Sequence, residues 1–140
     1  MPARNRPCPW WSVKMAGQIP PPARGLSRII RAAGYSWAGL CYTFKNEAAF
    51  RQELVLCLIL VPAIILLPLA LLAKLYLCGC LALVLICELA NTALEVIINH
   101  VSPDYSTAAK HGKDIGSALV FVALVNLGLS LLFLLAGLVW

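Results

Sequence analysis

Charged side chains are scarce in this sequence. Of its 140 residues only 12% are Asp, Glu, Lys or Arg, whereas 61% are hydrophobic. A soluble domain is about half apolar and about a quarter charged, because its core has to be covered by a polar surface. The scarcity of charge therefore excludes an ordinary soluble domain and predicts an integral membrane protein.

Several motifs of soluble proteins are also missing. The sequence has no Gly-rich kinase loop, and HGKD at 111–114 lacks the glycine spacing of a P-loop. The six cysteines form no zinc-binding pattern with histidine, and those inside apolar runs act as small hydrophobes. Residues 1–27 contain no apolar stretch with a cleavage site, so we expect no signal peptide there.

The basic residues are unevenly distributed. Eight of the eleven Lys and Arg residues lie before residue 54, ahead of the first long apolar run. Such a segment suits the anionic lipids of the inner leaflet. These bases are dispersed among Pro, Gly and apolar residues without a binding motif, so we expect no nucleic-acid partner.

The part of the chain before the apolar runs divides into two segments. Residues 1–27 are rich in Pro and Arg and are expected to form a disordered tail, with Met15 as an alternative start. Residues 28–53 place apolar and charged side chains at helical spacing. This pattern predicts an amphipathic helix on the membrane surface, with Gly34 and Gly39 as points where it could break.

Long apolar runs fill the remainder. Three membrane spans are predicted, over residues 54–73, 75–98 and 115–140. The first is an uncharged run whose helix would be about 30 Å long, the thickness of the hydrocarbon core. It includes Pro62 and Pro68, which transmembrane helices tolerate at kinks. Lys74 and a polar loop over 99–114 separate the spans, so residues 28–140 form one all-α integral membrane domain.

The orientation follows from the Lys and Arg residues that flank the spans. The N-terminal region holds eight of them, the loop over 99–114 holds two, and the turn at Lys74 holds one. By the positive-inside rule, the N-terminus and the 99–114 loop face the cytoplasm, and Lys74 and Trp140 face outside.

The second span contains acidic residues. Glu88, Asn91 and Glu95 are spaced to share one helical face, and Thr92 lies at its edge. An ionisable group at this depth costs several kcal/mol unless it is paired, neutralised or hydrated. Three interpretations remain: hydrogen bonding between helices by protonated acids, an ion or proton path, and a site that opens to the cytoplasm.

A cytoplasmic site accounts for more of the sequence than an ion path. Glu47, Glu53, Asp104, Lys113 and Asp114 gather at the same predicted membrane surface. Carboxylates with a nearby lysine suit a Mg²⁺–phosphate ligand, because Mg²⁺ takes few protein oxygens and binds phosphate as well. A proton path would need polar groups outward of the acids, where LYLCGCLALVLIC offers almost none.

Four blocks of residues carry a family resemblance. They are RIIRAAGYSWAGL at 28–40, NEAAFRQE at 46–53, ELANTALE at 88–95 and KDIGSA at 113–118. Over about residues 26–140 the chain resembles the prokaryotic diacylglycerol kinases, a family that also includes undecaprenol kinases. The AAGYSW run looks more like the diacylglycerol-type members.

The resemblance implies a fold and an activity. It implies a homotrimer of three-span subunits, each with an amphipathic surface helix, whose active sites are shared between neighbours. ATP and Mg²⁺ would bind on the cytoplasmic side of the bacterial inner membrane, and diacylglycerol would enter from the leaflet. The product would be phosphatidic acid, which recycles diacylglycerol into phospholipid.

The resemblance also implies roles for particular residues. Glu88 would be the general base, Asn91 a positioning residue, Glu47 and Glu95 the Mg²⁺ ligands, and Lys113 a neutraliser of phosphoryl charge. The implied ATP contacts are Arg28, Tyr35, Glu47, Glu95, Asp104, Tyr105, Ser106, Lys113 and Asp114. The implied lipid contacts are Arg28, Ala32, Ala33, Gly34, Tyr35, Ser36, Trp37, Ala49, Phe50, Arg51, Gln52, Glu53, Glu88 and Ser117.

Simpler interpretations stand beside these roles. Arg28 would equally contact anionic headgroups, Tyr35 and Trp37 would serve as interfacial aromatics, and Lys113 would be an ordinary flanking charge. Asn99 departs from the family pattern, in which an acid is common there. At the level of the whole protein, the alternatives are an undecaprenol kinase and a non-enzymatic, ion-coupled membrane protein.

Overall fold

A computed structural model describes residues 25–102, 104 and 106–139 of the chain. The described part is all-helical, with helices α1 (Leu26–Asn46), α2 (Ala48–Leu66), α3 (Leu71–Val101) and α4 (Thr107–Val139). Helix α1 belongs to one unit, and α2, α3 and α4 belong to a second. Most of the tail predicted over 1–27 lies outside the described residues, as do Tyr105 and Trp140.

Helices α2, α3 and α4 are each long and apolar enough to cross a membrane. Large apolar side chains such as Leu58, Leu66, Phe121 and Phe133 are exposed along them. A soluble protein rarely exposes so continuous an apolar surface, whereas acyl chains solvate it without cost. The prediction of an all-α membrane protein with three spans is confirmed.

The amphipathic segment is two helices instead of the one predicted over 28–53. Helix α1 runs unbroken through Gly34 and Gly39 and ends at Asn46, whose side-chain Nδ2 donates to the carbonyl of Tyr42 at 2.8 Å. Glu47 follows with an extended backbone, φ −104° and ψ 120°. Asn side chains compete with the backbone for such hydrogen bonds, so the break falls at the asparagine and not at a glycine.

The connection between the first two spans lies earlier than predicted. Helix α2 contains Pro62 and continues to Leu66, whereas Pro68 lies in the connection before α3. The residue before a proline is driven out of the helical region, and Leu67 has φ −65° and ψ 145°. Pro68 therefore ends the helix, and Lys74 lies in the first turn of α3 instead of in the turn between spans.

Lys74 caps the end of α2. Its Nζ donates to the carbonyl oxygen of Ile65 at 2.7 Å, and that carbonyl lies in the last turn of the helix. A cation at a helix C-terminus is favourable, because the last carbonyls lack intrahelical partners and carry a partial negative charge.

Removing this cap should destabilise the junction. Lys74→Met keeps the side chain's length but leaves the Ile65 carbonyl unpaired, so we expect the free energy of unfolding to fall by about 1 kcal/mol. Thermal unfolding in detergent would measure the loss, with Lys74→Arg as the control that keeps the donor. A Lys74→Met variant as stable as the wild type would show that the contact contributes nothing.

The two long helices extend beyond the apolar runs that predicted them. The spans predicted over 75–98 and 115–140 are helical from Leu71 to Val101 and from Thr107 to Val139. The polar loop predicted over 99–114 shrinks to the residues between these helices. Polar residues indicate where a helix leaves the hydrocarbon core, but they do not indicate where its backbone hydrogen bonding ends. The predicted loop was therefore too long.

Helix α3 packs against both α2 and α4. Its contacts with α4 run in opposite directions along the two helices, from Cys80 near Ser130 to Asn91 near Gly116, so the helices are antiparallel. The half of this unit near the α2–α3 connection is an apolar core. That core comprises Ile64, Leu77, Cys80, Leu81, Val84, Ala123 and Leu127. The other half holds the acidic residues.

Candidate active site

The acidic face of α3 is directed into the helical unit. Glu88 is only 3% exposed and Thr92 only 4%, while Asn91 and Glu95 are half-buried. The spacing of three and four residues places these side chains on one stripe of the helix, as the sequence predicts. A carboxyl directed into protein and away from acyl chains avoids the worst desolvation, which is the usual arrangement of an ionisable residue in a membrane helix.

Carboxyl groups from α2 join this face. Glu88 interacts electrostatically with Glu47 and Glu95, and Glu53 interacts with Glu88. Glu47 occupies the N-cap position of α2 but makes no capping hydrogen bond, and Glu53 is 8% exposed. We call Glu47, Glu53, Glu88 and Glu95 the acid cluster. Each of the other three acids interacts with Glu88, and like charges repel, so the cluster favours a cationic ligand.

Asn91 connects the acid cluster to α4. Its Nδ2 donates a hydrogen bond to Oε1 of Glu95 at 3.3 Å. A carboxylate can only accept, so this bond fixes which side of the amide carries the nitrogen. The amide oxygen Oδ1 lies against Gly116, in space that a Cβ on that residue would fill. The amide is thus held between an acid on its own helix and a glycine on the next.

Buried polar atoms without partners concentrate here. Among the described residues, the buried side-chain oxygens that lack a hydrogen bond are Glu53 Oε2, Asn91 Oδ1 and Thr92 Oγ1. Other helical hydroxyls, such as those of Ser36 and Ser130, donate to the carbonyl four residues earlier. Each unpaired atom costs about 1–3 kcal/mol, and natural proteins tolerate this mainly where a ligand or water completes the bond.

The start of α4 holds the predicted phosphate-binding side chains. Lys113 is exposed, and so is Asp114, whose Oδ2 pairs with Nζ of Lys110 at 3.2 Å. Ser117 is exposed on the same helix. Ser106 caps α4, since its Oγ accepts a hydrogen bond from the backbone N–H of Ala109 at 3.1 Å. This cap gives Ser106 a structural role whether or not it contacts nucleotide.

The other predicted contacts lie on α1, at the start of α2 and between α3 and α4. Those on α1 are all exposed: Arg28, Ala32, Ala33, Gly34, Tyr35, Ser36 and Trp37. On α2, Ala49, Arg51 and Gln52 are exposed, and Phe50 is buried three residues before Glu53. Asp104 is exposed between α3 and α4, and Tyr105 lies outside the described residues.

One residue of this site was missed by sequence reasoning. Gly116 lies in the KDIGSA block but was assigned no role, although its contact with Asn91 joins α3 to α4. The available signal was weak: an isolated glycine inside a helical pattern usually has a packing reason. The pattern does not reveal which side chain packs there.

Comparison with known proteins identifies the family. The family model for prokaryotic diacylglycerol kinase matches residues 34–135, which include all of α2 and α3 and the acid cluster. The chain belongs to the prokaryotic diacylglycerol kinase family. Among the predicted contacts, Arg28, Ala32 and Ala33 precede the matched region.

Named relatives support the same assignment. The chain is 39% identical over 101 residues to diacylglycerol kinase of Escherichia coli strain K12, covering 72% of this chain and 83% of the relative. It is 40% identical over 100 residues to diacylglycerol kinase of Pseudomonas aeruginosa, covering 71% and 81%. It is 32% identical over 109 residues to that of Helicobacter pylori strain 26695, covering 77% and 84%. Like other members of the prokaryotic diacylglycerol kinase family, this membrane protein is a lipid kinase.

Proposed function

We propose that the protein transfers the γ-phosphoryl group of ATP to 1,2-diacyl-sn-glycerol and forms phosphatidic acid. The observation that carries this proposal is the burial of Glu88 in a membrane helix with Glu47 and Glu95 near enough to interact with it. A deep carboxyl suits a hydroxyl that lies within the leaflet, and the shallower carboxyls suit a charged co-substrate from the cytoplasm. The family membership supports the same reaction.

Glu88 acts as the general base in this proposal. Its carboxylate accepts the proton of the lipid hydroxyl while the hydroxyl oxygen forms a bond to the γ-phosphorus, and the bond to the bridging oxygen of ADP breaks. Burial keeps bulk water from competing as the nucleophile. Phosphoryl transfer depends mainly on alignment and charge stabilisation, so a small helical unit can supply what it needs.

Glu47 and Glu95 are the residues that would hold a magnesium ion together with the nucleotide. No three His, Cys, Asp or Glu side chains among the described residues form a metal cage of their own. Magnesium does not need one here, because it is commonly held by one or two carboxylates together with phosphate and water oxygens. When bound, it would neutralise charge on the transferring group, and Lys113 would assist at the start of α4.

The remaining polar residues position the substrates. Asn91 holds Glu95 through its Nδ2 hydrogen bond. On the amphipathic helix α1, the exposed residues Arg28 and Tyr35 and the Ala32–Trp37 segment contact nucleotide and lipid in this proposal. The family resemblance supports a homotrimer with shared sites, in the inner membrane, with the acid cluster at its cytoplasmic side. The excess of bases before residue 54 supports that orientation.

An ion path through the membrane fits the structure less well than a site that opens to one side. Outward of Glu88, the buried side chains of α3 are Leu77, Cys80, Leu81 and Val84. A second polar group, in which Asn126 Nδ2 donates to Cys80 Sγ at 3.3 Å, lies eight residues away from Glu88 along α3, about 12 Å. Buried apolar residues separate it from the acid cluster, so the acids form a half-depth site.

The test is a direct assay of the purified full chain. In mixed micelles with Mg-ATP, 1,2-dioleoylglycerol should be converted to phosphatidate, and EDTA should abolish the reaction. Undecaprenol in a parallel reaction tests the substrate class. Phosphorylation of undecaprenol with diacylglycerol left untouched would replace the proposed substrate, and no ATP consumption with either lipid would refute the proposal.

A further inference from the structure

The contact between Gly116 and Asn91 joins two helices at the acid cluster. A Cβ at Gly116 would overlap Oδ1 of Asn91 and would also approach Cγ of Asn91 at 3.5 Å and Cδ1 of Leu94 at 3.6 Å. The distances to Cγ of Asn91 and Cδ1 of Leu94 are ordinary van der Waals contacts, so the amide oxygen is the atom that requires glycine at this position. Gly116 is buried.

The overlap is relieved most cheaply by moving the amide, because Oδ1 is the end of a side chain whereas the alternative is to shift a whole helix. Asn91 has two side-chain torsions, and its Nδ2 is already committed to Oε1 of Glu95 at 3.3 Å. Displacing Oδ1 from Gly116 turns the amide as a whole, so the hydrogen bond to Glu95 is lost or redirected. Glu95 would then lose the contact that orients its carboxylate.

We infer that Gly116 is a positioning residue: by lacking a side chain it seats the Asn91 amide, which in turn orients the Glu95 carboxylate toward the metal-bound nucleotide. This inference rests on the proposed function, because it takes Glu95 as a magnesium ligand. Hydrogen bonds to a ligating carboxylate hold it in the binding geometry, and their loss costs about 10–100-fold in metal affinity.

Gly112 supplies a matched control on the same helix. It lies one turn before Gly116 and also faces α3, where an added Cβ would meet Cδ1 of Ile98 at 2.7 Å. That atom is the flexible tip of an apolar side chain, and Ile98→Val removes it. A Gly→Ala change gains the same helix propensity at either position, so the two variants differ in the neighbour they disturb.

The experiment measures metal binding to the full chain in detergent. Mn²⁺ is titrated by electron paramagnetic resonance in the presence of the ATP analogue with a methylene between the β- and γ-phosphorus atoms. We expect Gly116→Ala to raise the Mn²⁺ dissociation constant about 10–100-fold and Gly112→Ala to change it less than about twofold. In the kinase assay, Gly116→Ala should raise the Mg²⁺ requirement more than it lowers the maximal rate.

A double-mutant cycle tests whether Gly116 acts through Asn91. Asn91→Ala alone should weaken Mn²⁺ binding, and adding Gly116→Ala to it should cost nothing further, because the overlapping atom is gone. If Gly116→Ala alone fails to fold, the double variant should regain the folding of Asn91→Ala, which would support the overlap.

Three results would overturn the inference. They are a Gly116→Ala variant that binds Mn²⁺ as the wild type does, effects of the two substitutions that multiply, and a double variant that also fails to fold. A wild-type protein that binds no Mn²⁺ with the analogue would instead overturn the proposed metal site, and the inference with it. A wild type that binds the ion while Gly116→Ala is unaffected would remove the inference alone.

Discussion

A Glu88→Gln variant should lose phosphotransfer while keeping its fold. Glutamine matches glutamate in size and fills the same site, which is only 3% exposed, but it cannot take a proton from the lipid hydroxyl. Removing a general base lowers the rate by about 10²–10⁴-fold. The initial rate of labelled phosphate transfer from ATP to dioleoylglycerol measures the loss.

The stability of this variant should not fall with its activity. Glu88 interacts electrostatically with Glu47, Glu53 and Glu95, so removing its charge relieves repulsion among carboxyl groups that are buried or half-buried. We therefore expect the midpoint of thermal unfolding in detergent to be unchanged or raised. Opposite responses of stability and activity are typical of a site kept for function at the expense of stability.

One control variant and two alternative outcomes decide how the Glu88→Gln result is interpreted. Cys87→Ala changes the half-buried neighbour on the same helix and should retain activity. A Glu88→Gln variant with wild-type turnover would remove the base assignment. A variant that lost stability together with activity would favour the structural interpretation, in which Glu88 forms hydrogen bonds between helices.

The predictable part of the fold is the part set by hydrophobic length. Three apolar runs correspond to three helices in the correct order, because the thickness of the hydrocarbon core sets the number of apolar residues that a helix needs to cross it. The helix ends were predicted less well. Asn46 and Pro68 end helices through local hydrogen bonding and backbone geometry, which polarity does not report, and Lys74 serves as a cap where a loop residue was expected.

The candidate site was predictable along one helix and less so between helices. A spacing of three and four residues determines that Glu88, Asn91 and Glu95 share a face, and the structure directs that face inward. Which residues of α4 meet that face depends on helix register and rotation. A single sequence contains little information on either, so the contact of Gly116 with Asn91 appeared only in the structure.

A Glu95→Gln variant should raise the Mg²⁺ requirement of the enzyme. The introduced glutamine would keep an oxygen that accepts the hydrogen bond from Asn91 Nδ2, so the substitution removes the negative charge and leaves the contact between the two side chains. A neutral amide is a poorer ligand for a hard divalent cation than a carboxylate. We expect the Mg²⁺ concentration for half-maximal rate to rise at least about tenfold.

The Mg²⁺ titration distinguishes this metal role from a packing role. Excess Mg²⁺ should recover part of the Glu95→Gln rate, whereas it should not recover Glu88→Gln, whose defect lies in proton transfer. His100→Gln, an exposed change in the last turn of the same helix, should leave the Mg²⁺ dependence unaltered. If Glu95→Gln kept the wild-type Mg²⁺ dependence, Glu95 would serve only as an acceptor for Asn91, and the metal would have to be held by other oxygens of the acid cluster.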